Sequence, residues 1–249
     1  MVQTMDLKKH FKDPKGKTVE AVNGVCIKAV PGQVFGLLGI NGAGKTTLLR
    51  LLSTVIKPTG GSATVAGHDI ANDPEKVRQN IGFLSTTTAL YGRLTPVEML
   101  NYYGALYGMS EATLKERREW AIDKFGIRGF KDRLCDKLST GQKQRVSIAR
   151  TILHDPPVLF LDEPTAGLDL VTSQTVMQFI EECRSVGKTI LFSTHIMSEA
   201  ERLCDHIYVI HAGRIKGEGT VQELLAKTGQ PSLEKAFLHL VQSSDGEMR

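Results

Sequence analysis

Short apolar runs alternate with longer amphipathic ones along most of the chain, and this alternation predicts its elements. Residues 2–7, 19–30 and 33–38 read as strands, with Pro31 and Gly32 forming a turn between the second and third. Residues 46–53 carry helical spacing, and 62–65 and 81–84 are strand-sized. Thr95-Pro96-Val97-Glu98 has the pattern of a capped helix start: a hydroxyl at the cap, proline first in the helix, and a carboxylate reaching back. Helices are expected from there to about residue 108 and over 110–125, with loops to Ser139 and another helix over 143–154. The span of about 95–150 therefore reads as a helical block without strands. Beyond it, strands at 158–161, 189–193 and 206–210 alternate with helices at 170–186 and 198–204. A hairpin at 212–213 and helices at 221–227 and 232–241 complete the chain. Strands alternating with helices predict an α/β core with a mainly parallel sheet, into which the helical block is inserted.

The chain has 249 residues, a length that suits one large domain, and no apolar run nears the ~18 residues of a membrane span. A role at a membrane would therefore need another polypeptide to supply the spans. Net charge is +4, and the densest basic cluster, Lys8, Lys9, Lys12, Lys15 and Lys17, spreads around a Pro14–Gly16 turn. This reads as a solvated hairpin, so no nucleic-acid partner is expected. Cys26, Cys135, Cys183 and Cys204 form no Cys-x-x-Cys pair, and no signal-peptide pattern precedes them, so reduced thiols are expected.

Gly39-Ile40-Asn41-Gly42-Ala43-Gly44-Lys45-Thr46 fits the phosphate-loop pattern and lies between an apolar strand and an apolar helix. Its glycines let successive N–H groups turn inward at a helix start, which favours a phosphate. Lys45 would reach the β- and γ-phosphates, and the Thr46 hydroxyl would suit Mg²⁺. Further along, Val158-Leu159-Phe160-Leu161-Asp162-Glu163 is an apolar run closed by two acids, as in a buried parallel strand with ligands at its carboxyl end. Neighbouring side chains on a strand diverge, so the two acids should have different tasks. Asp162 is assigned to Mg²⁺ and Glu163 to an attacking water. Ser139-Thr140-Gly141-Gln142 offers a second polar helix start, either a simple cap or another anion site. His195 follows a strand end, where it is either structural or within reach of a γ-phosphate oxygen.

Taken together, Gly39–Thr46, Leu138-Ser139-Thr140-Gly141-Gln142, Leu159–Pro164, Ala166-Gly167-Leu168-Asp169 and Ser193-Thr194-His195 resemble the ATP-binding subunits of ATP-binding cassette (ABC) transporters in order and spacing, over about residues 2–220. The resemblance implies an α/β phosphate-loop ATPase core, an antiparallel β part built from the N-terminal strands, and a helical part over about 87–150, all in one cassette domain over 1–249 that ends in a helical extension from 221. It implies ATP contacts from Phe11, Val19, Gly39, Ile40, Asn41, Gly42, Ala43, Gly44, Lys45, Thr46 and Thr47. Ser139, Gly141 and Gln142 would bind ATP held by a second ATP-binding subunit in a head-to-tail dimer, crossed by the loop bearing Asp169. Glu163, His195 and Lys45 would be catalytic, and Thr46 and Asp162 would hold Mg²⁺. Where the family usually has a glutamine that contacts Mg²⁺, this chain has Thr86, a shorter side chain that would reach Mg²⁺ only through water. A separate membrane permease would be the partner, at the cytoplasmic face of the membrane. The chain is most similar to cassettes of ABC-2-type exporters, sodium-extruding ones especially.

Overall fold

The computed structural model describes residues 1–85 and 90–245, so Thr86 lies outside the described residues. In chain order the elements are β1 (Val2–Lys12), β2 (Thr18–Val25), β3 (Lys28–Ala29), β4 (Val34–Leu38), α1 (Lys45–Leu52), β5 (Gly60–Val65), β6 (His68–Asp69), α2 (Pro74–Gln79) and β7 (Ile81–Leu84). Then come α3 (Pro96–Leu106), α4 (Glu111–Lys124), α5 (Thr140–Ile152), β8 (Val158–Asp162), α6 (Leu170–Ser185), β9 (Thr189–Thr194), α7 (Met197–Leu203), β10 (His206–His211), β11 (Arg214–Gly219), α8 (Val221–Thr228) and α9 (Leu233–Asp245).

Among the described residues, the strands form two sheets. One has the order β11-β10-β4-β9-β8-β7, parallel except for β11. The other is antiparallel, ordered β2-β1-β5-β6, with β3 on β1. The central strands β4, β8 and β9 are buried along their whole length. Both faces of the parallel sheet are covered, which is why these strands read as unbroken apolar runs and not as alternating ones.

The alternation survives in where each side chain goes. Val158, Phe160, Leu191, Phe35 and Leu37 join Leu48, Leu49, Leu51 and Leu52 of α1 and the antiparallel sheet in one core cluster. Their neighbours Leu159, Leu161, Ile190 and Phe192 pack with Met99, Leu100, Ile122, Val146 and Phe179 of α3–α6 in another. A third cluster seats α7, α8 and α9 on Ile207 and Val209 of β10. The phosphate-loop helix and the helical insertion thus lie on opposite faces of one sheet, and the site forms at the carboxyl edge between them.

Three local features differ from the reading of the sequence. The strand expected over 19–30 is broken between Val25 and Lys28, where Thr4 Oγ1 donates to Val25 O at 2.8 Å and accepts from Ile27 N at 2.9 Å. β6 and α2 are too short and polar to show a period. The helix expected from 143 begins at Thr140, since Ser139 caps it. The capped start at Thr95 is present, with Thr95 Oγ1 accepting from Glu98 N and the Glu98 carboxylate accepting from Thr95 N. All four cysteines are free, and among the described residues no helix is long and apolar enough to cross a membrane.

Candidate active site

The loop between β4 and α1 is shaped by what surrounds its glycines. Gly44 has φ +111°, and a Cβ there would lie 2.5 Å from Ala21 O of β2. A Cβ on Gly39 would lie 2.5 Å from Ile210 O of β10. Only residues without a side chain allow the loop to press against both strands. Gly213 N donates to Ala43 O at 2.9 Å and Asn23 N to Gly213 O at 2.8 Å, so the β10–β11 turn fixes the loop against the β1–β2 hairpin. The resulting hollow, about 140 Å³, is lined by Asn41, Gly42, Ala43, Gly44, Lys45, Thr46, Thr47, Ala21 and Glu163. Helix α1 has Gly44 at its cap, with no side-chain bond to its first N–H groups. Those donors and the helix dipole face the hollow, where Glu163 is the acid in its lining.

Lys45 is only 4% exposed. Its Nζ donates to Gly39 O at 2.7 Å and Ile40 O at 3.2 Å, and lies 3.1 Å from Glu163 Oε1. The ammonium is thereby folded over the loop, with the carboxylate as its counter-charge.

The sheet register explains how the two acids separate. Asp162 and Ser193 are opposed on β8 and β9, on the face that carries Phe160 and Leu191 toward α1. Ser193 Oγ donates to Asp162 Oδ1 at 2.7 Å, and Thr46 Oγ1 of α1 donates to Asp162 Oδ2 at 2.9 Å. Asp162, 1% exposed, is therefore a buried carboxylate facing two hydroxyls. Glu163 has already left the strand. Its φ is +46°, a conformation uncommon for a side-chain-bearing residue, and its N–H bonds Ser193 O and Oγ, both at 3.1 Å. Its Oε2 lies 3.3 Å from His195 Nδ1. Burial alone would push the Glu163 carboxyl up, but the hydrogen bond and charge of Lys45, with His195 beside it, hold it below the usual carboxylate range.

Phe11 and Val19 are directly opposed across β1 and β2, and both are exposed, at 42% and 47%. Lys9 Nζ lies 5.1 Å from the centroid of the Phe11 ring. Ser139, Gly141 and Gln142 do not line the phosphate-loop hollow. Ser139 Oγ instead accepts from Gln142 N at 3.3 Å, while Gln142 Oε1 accepts from Ser139 N at 3.0 Å. Asp169 caps α6, with Thr172 N donating to its Oδ1 at 2.9 Å.

Three side chains without a role in the sequence reading are part of the site. Ser193 fixes Asp162, and only the register of β8 against β9 indicates it. Gln144 Nε2 of α5 donates to Pro164 O at 2.6 Å, and Glu199 of α7 accepts from Thr165 Oγ1 at 2.6 Å and Thr194 Oγ1 at 2.7 Å. Gln144 lies two residues beyond Gln142 and Glu199 four beyond His195, outside the motifs themselves.

A family model described as ABC transporter matches residues 22–166. ABC transporter ATP-binding protein NatA of Bacillus subtilis (strain 168) is 40% identical over 239 residues, covering 96% of this chain and 97% of the relative. The chain belongs to the ABC transporter family. It is an ATPase subunit of that family, with the cassette fold. Daunorubicin/doxorubicin resistance ATP-binding protein DrrA of Streptomyces peucetius is 40% identical over 223 residues, covering 90% of this chain and 67% of the relative. Among solved structures, the ATP-binding cassette MJ0796, a dimer in a post-hydrolysis state bound to ADP and Pi, superposes with a TM-score of 0.81 at 26% identity, covering 88% of this chain and 98% of that one.

Proposed function

We propose that this ABC ATPase powers export through a separate membrane subunit, with Glu163 as the general base of hydrolysis and sodium as the cargo. The observation that carries the base assignment is the position of Glu163 between Lys45 and His195, beside the uncapped start of α1. A γ-phosphate in the hollow competes with Glu163 for the Lys45 ammonium. As that ammonium turns to phosphate, the carboxylate loses its main counter-charge and becomes more basic, which suits proton abstraction from water. His195 and Lys45 stabilise the charge that develops on the transferred phosphoryl group.

Thr46 and Asp162 are adjacent hard oxygen groups, a donor set that fits Mg²⁺. Bound there, the ion would neutralise phosphate charge. Ser139, Gly141 and Gln142 serve the ATP of a second copy in a head-to-tail dimer. That none of them lines the chain's own hollow, and the dimeric state of MJ0796, support this. Phe11 and Val19 offer an exposed apolar face for the adenine ring.

Tyr91, Tyr102 and Leu106 form an exposed apolar patch, with the Tyr91 and Tyr102 rings edge-on at 5.8 Å. It lies within residues 85–110, the segment through which a membrane subunit would be moved, at the cytoplasmic face. Sodium as cargo rests on the likeness to cassettes of sodium-extruding exporters. A second reading, efflux of a planar drug, is favoured by the identity to DrrA.

Glu163→Gln tests the base. It should bind ATP as the wild type does, lose turnover by about 100-fold or more, and accumulate as an ATP-bound dimer on size exclusion. Turnover at the wild-type rate would assign the base elsewhere. For the cargo, vesicles containing this chain and the membrane protein that co-purifies with it should accumulate ²²Na⁺ on addition of ATP. Doxorubicin uptake without sodium flux would select the drug reading.

A further inference from the structure

Helix α7 carries a buried carboxylate that the reading above leaves without a task. Glu199 is 5% exposed, and among the described residues no ion pair reaches it. It does not cap its own helix, whose cap position is Ile196. A carboxylate removed from water without a cation is unfavourable unless hydrogen bonds replace the lost solvation. Glu199 has two, one on each oxygen: Thr165 Oγ1 at 2.6 Å and Thr194 Oγ1 at 2.7 Å.

The two hydroxyls belong to the two segments that carry the reacting side chains. Thr165 stands two residues after Glu163, and Thr194 immediately precedes His195. Thr194 also accepts from Ile196 N at 3.0 Å, so its hydroxyl bridges both sides of His195. An ionised carboxylate can only accept, so both threonines must donate to it, and the Thr194 oxygen remains free to take the Ile196 N–H. The loop it holds needs outside support, because Glu163 sits at φ +46°. From the other side, Gln144 of α5 holds Pro164 of the same loop.

We propose that Glu199 is a positioning residue for hydrolysis, a charged clamp that holds the Glu163 segment and the His195 segment in register so that the base faces its water. The inference rests on the assignment of Glu163 as base. Glu199 touches no reacting atom and acts only through the two threonines.

The test compares kcat at saturating MgATP, fluorescent-ATP affinity and melting temperature. Glu199→Ala should lower kcat about 10- to 100-fold with nucleotide affinity within about 3-fold of wild type, as expected when orientation and not binding is lost. The pair Thr165→Val and Thr194→Val, which preserves shape and removes both donors, should give a similar loss, and it replaces Glu199→Ala should that variant not fold. Glu199→Gln keeps the size but only one acceptor oxygen, and should fall between. On a Glu163→Gln background, Glu199→Ala should add no further loss. A lowered melting temperature with unchanged kcat per folded protein would overturn the clamp and leave a structural carboxylate. So would a loss of the same size on the Glu163→Gln background. Wild-type turnover by Glu163→Gln alone is a separate result: it would remove the base assignment and the inference with it.

Discussion

Helices α1 and α5 both begin at a glycine-bearing polar turn beside the carboxyl edge of the sheet, yet they treat their first N–H groups in opposite ways. At α1 the cap position is Gly44, no side chain bonds the free donors, and no acid lies in the first turn. At α5, Ser139 and Gln142 satisfy each other's backbone N–H groups in a complete capping box. A glycine cap in place of Ser, Thr, Asp or Asn forgoes roughly a few tenths of a kcal/mol of stability. At α1 that small cost falls where glycines, Lys45 and Thr46 converge, and a phosphate bound there would supply the missing acceptor. The start of α5 is complete without a ligand. The cap uses the Ser139 oxygen as acceptor and leaves its hydroxyl hydrogen available to donate outward. A self-sufficient helix start of this kind can present itself to a neighbouring subunit without depending on it to fold.

Substitutions at each end should separate the two roles. The largest effect is expected at α1. Lys45→Ala should weaken fluorescent-ATP binding by about 100-fold or more, since a buried charge-assisted contact to phosphate is lost. Undiminished affinity would show that the hollow is not the phosphate site. Ser139→Ala should leave ATP binding by the isolated chain unchanged, weaken ATP-dependent dimerisation about 10-fold, and lower stability by about 1 kcal/mol through the lost cap. Equal weakening of monomer binding would place Ser139 on the chain's own nucleotide. Phe11→Ala should weaken ATP affinity about 5-fold, the range of one aromatic stack, with kcat unchanged at saturation.

A pH measurement sharpens the α1 half. Lys45 and His195 hold the Glu163 carboxyl below its ordinary value against the upward push of burial. Such a depressed group stabilises the fold above its unfolded value of about 4.3, and that stabilisation is lost as pH falls through the lower folded value. In Lys45→Ala, burial remains and the main offset is gone. The Glu163 titration, followed by carboxyl-carbon NMR, should therefore move upward. An unchanged titration would mean that the ion pair is not what sets this carboxyl.

The phosphate loop could be read from the chain because it is local. Eight consecutive residues between an apolar strand and an apolar helix carry the geometry in their own backbone. The acids Asp162 and Glu163 were legible for a similar reason, although the structure gives the separation of their tasks a different form. Asp162 keeps to the strand's face pattern, and Glu163 leaves the strand at a positive φ. Ser193, Gln144 and Glu199 were not legible. Each acts on a residue at least 20 positions away, through a sheet register or a helix packing that no local spacing encodes. Thr194 makes the point most sharply. The run Ser193-Thr194-His195 was visible as a motif, but the sheet's two-residue period sends Ser193 toward α1 and Thr194 toward Glu199.

By itself, then, the sequence determined the fold class, the order of the longer elements and the residues suited to a phosphate, because backbone freedom, apolar period and residue chemistry are properties of short stretches. Only the tertiary structure decided which helix start is left open for a ligand and which closes on itself. It also decided which acid faces the hydroxyls and which the lysine, and which groups hold the loop after Glu163. Those outcomes depend on groups brought within hydrogen-bond distance from separate strands and helices, and only the packing of two sheets and their helices fixes such distances.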